Sequence, residues 1–141
     1  MKEIKELKLL QRYLNEMLQD FKSLCDENDL TFFLEGGTLL GATRHHGFIP
    51  WDDDIDVSMP RDDYEKLINL LSNNTFTGKY SKYTLGSRKS LNVRHPFPFS
   101  KFFRLDTILD EYIIDSQFNS HLFIDVFPID YLPTSFKETD N

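Results

Sequence analysis

The chain has 141 residues, 40% of them hydrophobic, which suits a single domain with a modest core over residues 1–141. A formal net charge of −7 and a pI near 5.0 argue against a surface that wraps a nucleic-acid backbone, because that task needs clustered Lys and Arg. One cysteine, Cys25, has no partner for an internal disulfide, and no apolar run approaches the roughly 20 residues of a membrane span, so a soluble cytoplasmic protein is expected.

The opening MKEIKELKLLQRYL carries charges throughout and lacks the apolar stretch of a signal peptide. From there Leu7, Leu10, Leu14, Met17, Leu18, Phe21, Leu24 and Cys25 recur at three- and four-residue steps, which predicts an amphipathic helix packed on a sheet, with Cys25 a small buried hydrophobe. Leu30–Leu34 is β-branched and aromatic enough for a buried strand, stopped by Gly36-Gly37. Thr38–His46 reads as a short helix, 47–51 as a loop held extended before Pro50, and Asp54–Met59 as a second strand. A further helix follows with Tyr64, Leu67, Ile68 and Leu71 on one face. Pro60 suits its first turn, Asp62, Asp63 and Glu65 suit its positive end, and Asn73-Asn74 stops it.

Polar and turn residues dominate between Thr75 and Pro98, with a strand near Tyr83–Leu85 and the rest suited to a substrate loop. Phe99–Leu105, Tyr112–Ile114 and His121–Phe127 read as strands, the last closed by Pro128. Helices and strands mix without strict alternation. The fold class is therefore α+β (mixed α/β): a mixed sheet flanked by helices, with an N-terminal amphipathic helix.

Strand parity gives the acidic run a direction. Asp54 and Asp56 fall on one side, and Ile55 and Val57 anchor the other. Two convergent carboxylates on a rigid element suit a hard divalent cation, Mg²⁺ or Mn²⁺, shared with substrate phosphates. A solvated acidic turn is the plainer alternative. A calcium loop fits less well, since Val57 stands where that loop needs glycine and Asp63 where it needs glutamate.

Gly36-Gly37 is either a plain turn or a place where phosphate approaches backbone N–H groups at a helix start. Thr38 either caps that helix or contacts phosphate, and Arg44 either pairs with phosphate or forms a surface salt bridge. Glu35 abuts the glycine turn and Lys101 lies on a strand, so both are candidate site residues, with surface pairing the alternative. Asp52 shares parity with Asp54 and suits an outer shell, whereas Asp53 caps or pairs elsewhere. His45 and His46 read as surface or packing residues, and Trp51 as core, although an aromatic beside acids also suits a quaternary ammonium.

The run from Phe33-Leu34-Glu35-Gly36-Gly37-Thr38 through Arg44 and Trp51 to Asp54-Ile55-Asp56-Val57 resembles the signature of the LicD family within the nucleotidyltransferase superfamily. Met59-Pro60-Arg61-Asp62-Asp63-Tyr64 continues it, and Phe123-Ile124-Asp125-Val126-Phe127-Pro128-Ile129-Asp130 is similar to the family's later strand motif. The resemblance implies a nucleotidyltransferase-like sheet and a phosphotransferase. Its donor would be CDP-choline or a similar CDP-alcohol, and its acceptor a sugar hydroxyl of lipopolysaccharide or teichoic acid. It carries Asp54 and Asp56 over as metal ligands and makes Asp125 a third carboxylate, ligand or base. It also implies a domain truncated at its C-terminus. Nucleotide transfer to a small molecule and a non-catalytic metal- or nucleotide-binding module are the alternatives, and oligomeric state is not legible.

Overall fold

The computed structural model describes residues 2–4, 6–44, 46, 53–72, 78–86, 98–109 and 121–130. In chain order the elements are β1 (Lys2–Ile4), α1 (Leu7–Glu27), β2 (Phe33–Leu34), α2 (Gly36–Arg44), β3 (Asp56–Pro60), α3 (Arg61–Ser72), a 3-10 turn at Gly78–Tyr80, β4 (Tyr83–Gly86), β5 (Ser100–Arg104), β6 (Thr107–Leu109) and β7 (Leu122–Ile129). The main sheet runs β2-β3-β7-β5-β4, with β3 and β7 parallel and the other neighbours antiparallel. This is the mixed α/β arrangement that the sequence predicts.

The apolar stripe of α1 buries Leu14, Met17, Phe21, Leu24 and Cys25. These side chains share a core with Tyr64, Leu67, Ile68 and Leu71 of α3 and with Val57, Met59, Leu85, Phe102, Ile124 and Val126 of the sheet. Phe21 meets both Phe32 and Phe102 edge to face at 5.2 Å, and Tyr83 stacks on Phe102 at 4.6 Å. Because strand side chains alternate, committing these residues to the core commits their neighbours to the opposite face. That second face carries the acids.

One charge does enter the core side. Arg104, 2% exposed, donates from Nε to Asp106 Oδ1 at 2.8 Å and from a terminal nitrogen to Glu16 Oε2 at 3.0 Å, with its guanidinium 4.8 Å from the Tyr13 ring centroid. Burial opposes its charge, but the bonds to Asp106 and Glu16 outweigh burial and raise its pKa further. The pairing ties α1 to β5.

Several boundaries differ from the sequence expectation for local reasons. The strand predicted at Leu30–Leu34 shortens to Phe33–Leu34 because upstream N–H groups go elsewhere. Leu30 N donates to Cys25 O at 2.8 Å, and Thr31 N donates to the Asp63 carboxylate at 3.1 Å. Helix α2 starts at Gly36, which takes the left-handed backbone at φ +52, rather than at Thr38. Pro60 ends β3 instead of entering the first turn of α3.

Pro128 does not close β7, which continues to Ile129. Asp125 N donates towards β3, to Ile55 O at 3.1 Å, so the alternate nitrogen at position 128 faces the β5 side. There β5 has already ended, with Ser100 opposite Val126, and no ladder bond is lost. Strand β1, which pairs in parallel with β6, lies in a charged segment where the sequence suggests no strand. The strand predicted at Tyr112–Ile114 lies outside the described residues, as does much of the suggested substrate loop. Among the described residues, no helix is long and apolar enough to cross a membrane.

Candidate active site

Sheet register assembles the charged residues. The parallel pair β3 and β7 sets Asp56 opposite Asp125, and the antiparallel pair β5 and β7 sets Lys101 opposite the same Asp125. Asp56, Asp125 and Lys101 thus form one row across three neighbouring strands, spaced by about 4.8 Å per strand. The strand expected from Asp54 starts at Asp56, so Asp54 precedes it and is exposed, next to the buried Ile55 whose carbonyl accepts from Asp125 N.

Aromatic residues border this row on both sides. Phe123 lies opposite Phe103, with ring centroids 6.2 Å apart, and Phe127 lies opposite Ser58 and 4.7 Å from the Phe99 ring. Lys101 Nζ donates to Asp125 Oδ1 at 2.8 Å and sits 3.6 Å from the Phe123 ring centroid, with Phe99 at 5.5 Å. Both side chains of the ion pair are 16% exposed. This is an enclosed pair, not the surface pairing considered for Lys101 from sequence.

A short clasp fixes Asp56 from the other side. Strand β2 pairs with β3 only through Phe33 and Leu34, so the backbone of Asp56 needs other partners. Glu35 N donates to Asp56 O at 2.9 Å, Asp56 N donates to the Thr38 hydroxyl at 2.9 Å, and Thr38 N donates to Glu35 O at 3.1 Å. The Ser58 hydroxyl donates to Glu35 Oε1 at 2.6 Å. Glu35 and Thr38 therefore position the metal-ligand candidate, and the Thr38 hydroxyl serves β3 rather than capping its own helix.

Gly36 and Gly37 form the first turn of α2 immediately after Glu35, and nothing lies within 4 Å of where a Cβ on Gly36 would sit. Arg44 ends the same helix, about 9 Å along its axis from Thr38 at 1.5 Å per residue, and is exposed. It is the one predicted site residue that the fold sets apart from the rest. Asp53 and His46 are exposed, while His45, Trp51 and Asp52 lie outside the described residues.

Sequence reasoning overlooked Ser58 and the aromatic border. Extending the parity of Asp54 and Asp56 by one step reaches Ser58, and the alternation Phe123, Asp125, Phe127 carries the rings. A cavity of about 370 Å³ lined by Asn15, Leu18, Leu34, Thr38, Ala42, His46 and Ile55 contains none of the carboxylates.

Residues 29–140 match the family described as LicD/FKTN/FKRP, nucleotidyltransferase domain. The chain is 34% identical over 122 residues to the lipopolysaccharide cholinephosphotransferase LicD of Haemophilus influenzae, a match covering 86% of this chain and 43% of that protein. It is 28% identical over 123 residues to an uncharacterised protein of Rickettsia prowazekii, covering 87% of this chain and 41% of that one. A third match, to the human ribitol 5-phosphate transferase FKRP, is 38% identical over 52 residues and covers 37% of this chain and 10% of that protein. The chain thus spans less than half the length of these curated relatives. Since the family match takes in the clasp, both acidic strands and Lys101, the chain belongs to the LicD family.

Proposed function

We propose that this chain carries the catalytic centre of a metal-dependent phosphotransferase. It moves phosphocholine or a similar phosphoalcohol from a CDP-activated donor to a sugar hydroxyl of a cell-surface glycan, lipopolysaccharide or teichoic acid. The observation that carries the reading is the row in which Asp56 stands beside Asp125. The relatives support the class of transferred group, one being a cholinephosphotransferase and another a ribitol 5-phosphate transferase.

The donor set fits a hard divalent cation, because Asp54, Asp56 and Asp125 offer oxygen alone. Among the described residues no group of three or more His, Cys, Asp or Glu is arranged to hold a metal by itself. A cation here would therefore rest on one or two of these carboxylates, with water and substrate phosphates completing its shell, as Mg²⁺ does at other phosphate sites. Bound there, the cation would offset the charge that develops on the donor's phosphate oxygens.

The chain's own residues do the positioning. Glu35 and Thr38 fix the backbone of Asp56, and Gly36-Gly37 bring N–H groups of the first turn of α2 within reach of a donor phosphate. The acceptor hydroxyl attacks the phosphorus bearing the alcohol, the bond from that phosphorus to the bridging oxygen breaks, CMP leaves with that oxygen, and the hydroxyl proton passes to solvent water. Asp125 Oδ1 already accepts the Lys101 ammonium, so we assign Asp125 to holding charge rather than to taking the acceptor's proton.

Calorimetric titration of CDP-choline with Mn²⁺ tests this. Binding is expected in the wild type and lost in a folded Asp54→Asn, Asp56→Asn variant, and unchanged affinity in that variant overturns the site. A thermal-shift screen of CDP-choline, other CDP-alcohols and nucleoside triphosphates ranks the donors. Labelled nucleotide on the acceptor, in place of labelled phosphoalcohol, would reassign the reaction to nucleotide transfer.

A further inference from the structure

Lys101 occupies an unusual position for a lysine. Its ammonium is 2.8 Å from Asp125 Oδ1 and 3.6 Å from the Phe123 ring centroid, and the ion pair is mostly enclosed. Its register neighbour on the other side is Gly86, which offers no carboxylate, so its charge is directed at Asp125. Enclosure matters because charges interact more strongly there than in bulk water.

That charge acts with opposite sign on two ligands. Towards the acids it is favourable, since it offsets repulsion between Asp56 and Asp125 one strand apart. Towards a divalent cation resting on Asp125 it is unfavourable, because two positive charges then share one carboxylate. A donor diphosphate arriving beside that cation attracts both and cancels the conflict.

Resting on the reading that Asp56 and Asp125 take up a divalent cation, we infer that Lys101 makes cation uptake conditional on the donor. The cation alone is held weakly, and the cation together with a donor diphosphate is held tightly. Linkage makes the effect reciprocal: the donor tightens the cation by the same factor by which the cation tightens the donor. A site of this kind does not fill with metal until there is a diphosphate to activate.

The test measures free Mn²⁺ by electron paramagnetic resonance, with and without saturating CDP-choline, in wild type, Lys101→Met, Lys101→Gln and Lys101→Arg. CDP-choline is expected to tighten Mn²⁺ about tenfold or more in the wild type, the order of coupling that one nearby charge supplies. Lys101→Met and Lys101→Gln should bind Mn²⁺ alone about tenfold more tightly than wild type, with the donor coupling shrinking towards unity. Lys101→Arg keeps the charge beside Asp125 and should retain weak binding of Mn²⁺ alone and most of the donor coupling. A purely structural lysine would not produce this split between charge-removing and charge-keeping variants.

Circular dichroism checks the fold, and the paired Met and Gln variants guard against one of them failing to fold. If the neutral variants bind Mn²⁺ alone no more tightly than wild type, or keep the full donor coupling, the inference is overturned while the cation site stands. Wild type that binds no Mn²⁺ with or without CDP-choline overturns both.

Discussion

The hydroxyl of Thr38, in the first turn of α2, accepts the backbone N–H of Asp56, the first residue of β3, at 2.9 Å. A side chain thereby completes a strand edge that β2 is too short to cover. Thr38→Val keeps the shape and removes the acceptor, leaving a partly buried N–H unsatisfied, so a stability loss of about 1–2 kcal/mol is expected in urea unfolding. Affinity for CDP-choline with Mn²⁺ should fall as well. Thr38→Ser should preserve both, whereas a loss in the Ser variant with the Val variant unaffected would show that the methyl group, not the hydroxyl, matters.

The two glycines of that turn should separate on substitution. Gly36 has φ +52 in open space, so Gly36→Ala meets strain without a clash and should cost about 1–2 kcal/mol. Gly37 lies in the helix without positive φ, and Gly37→Ala should raise stability by up to about 1 kcal/mol. If its backbone cradles phosphate, the same variant should lose donor affinity, measured by calorimetry. A more stable Gly37→Ala protein with full donor affinity would reduce the pair to a turn.

Arg104→Met should lower stability by about 2–3 kcal/mol in thermal or urea unfolding. The change leaves Glu16 and Asp106 without their common partner, an effect moderated because both carboxylates reach solvent. Arg104→Lys should recover little, since one ammonium cannot reproduce a fork that serves two acids. Full recovery would show that charge alone suffices there.

Burial, followed by the charges of Asp26 and Asp63, pushes the Cys25 thiol up to about 12 from 9.0. The folded protein should therefore resist a disulfide-exchange reagent at pH 8, whereas the unfolded chain reacts at once. A raised pKa means that folding retains the proton longer than unfolding does. The stabilising contribution is complete below about pH 9 and lost as pH rises towards 12. Cys25→Ala should flatten that part of the stability curve, and an unchanged alkaline limb would point to other groups.

Much of the architecture is legible before any coordinates. The stripe from Leu7 to Cys25 specifies α1, because a single face must be buried, and the alternation from Asp56 through Val57 specifies which way Asp56 faces. Asp125 comes from its resemblance to a family strand motif, and no local pattern states that it lies beside Asp56. That is a matter of register, where a slip of one residue would send Asp125 to the core side. Leu30 and Thr31 mislead for a related reason: their composition suits a strand, but their N–H groups are claimed by Cys25 O and the Asp63 carboxylate. Strand β1 escapes notice because three residues in a charged segment gain meaning only from β6, far along the chain.

The central position of β7 has a consequence for how the protein is made. It is the last described element in chain order, yet it enters the sheet between β3 and β5. A nascent chain stopped before residue 122 can form the Glu35 to Asp56 clasp and α1, but neither Asp56 nor Lys101 has met its partner. Until then β3 and β5 present unpaired edges, the usual template for association between chains. Late insertion of a middle strand also places the protein among slow, non-locally wired folders. Refolding yield should therefore drop with protein concentration, and the charged row and the protection of those edges are completed by one event.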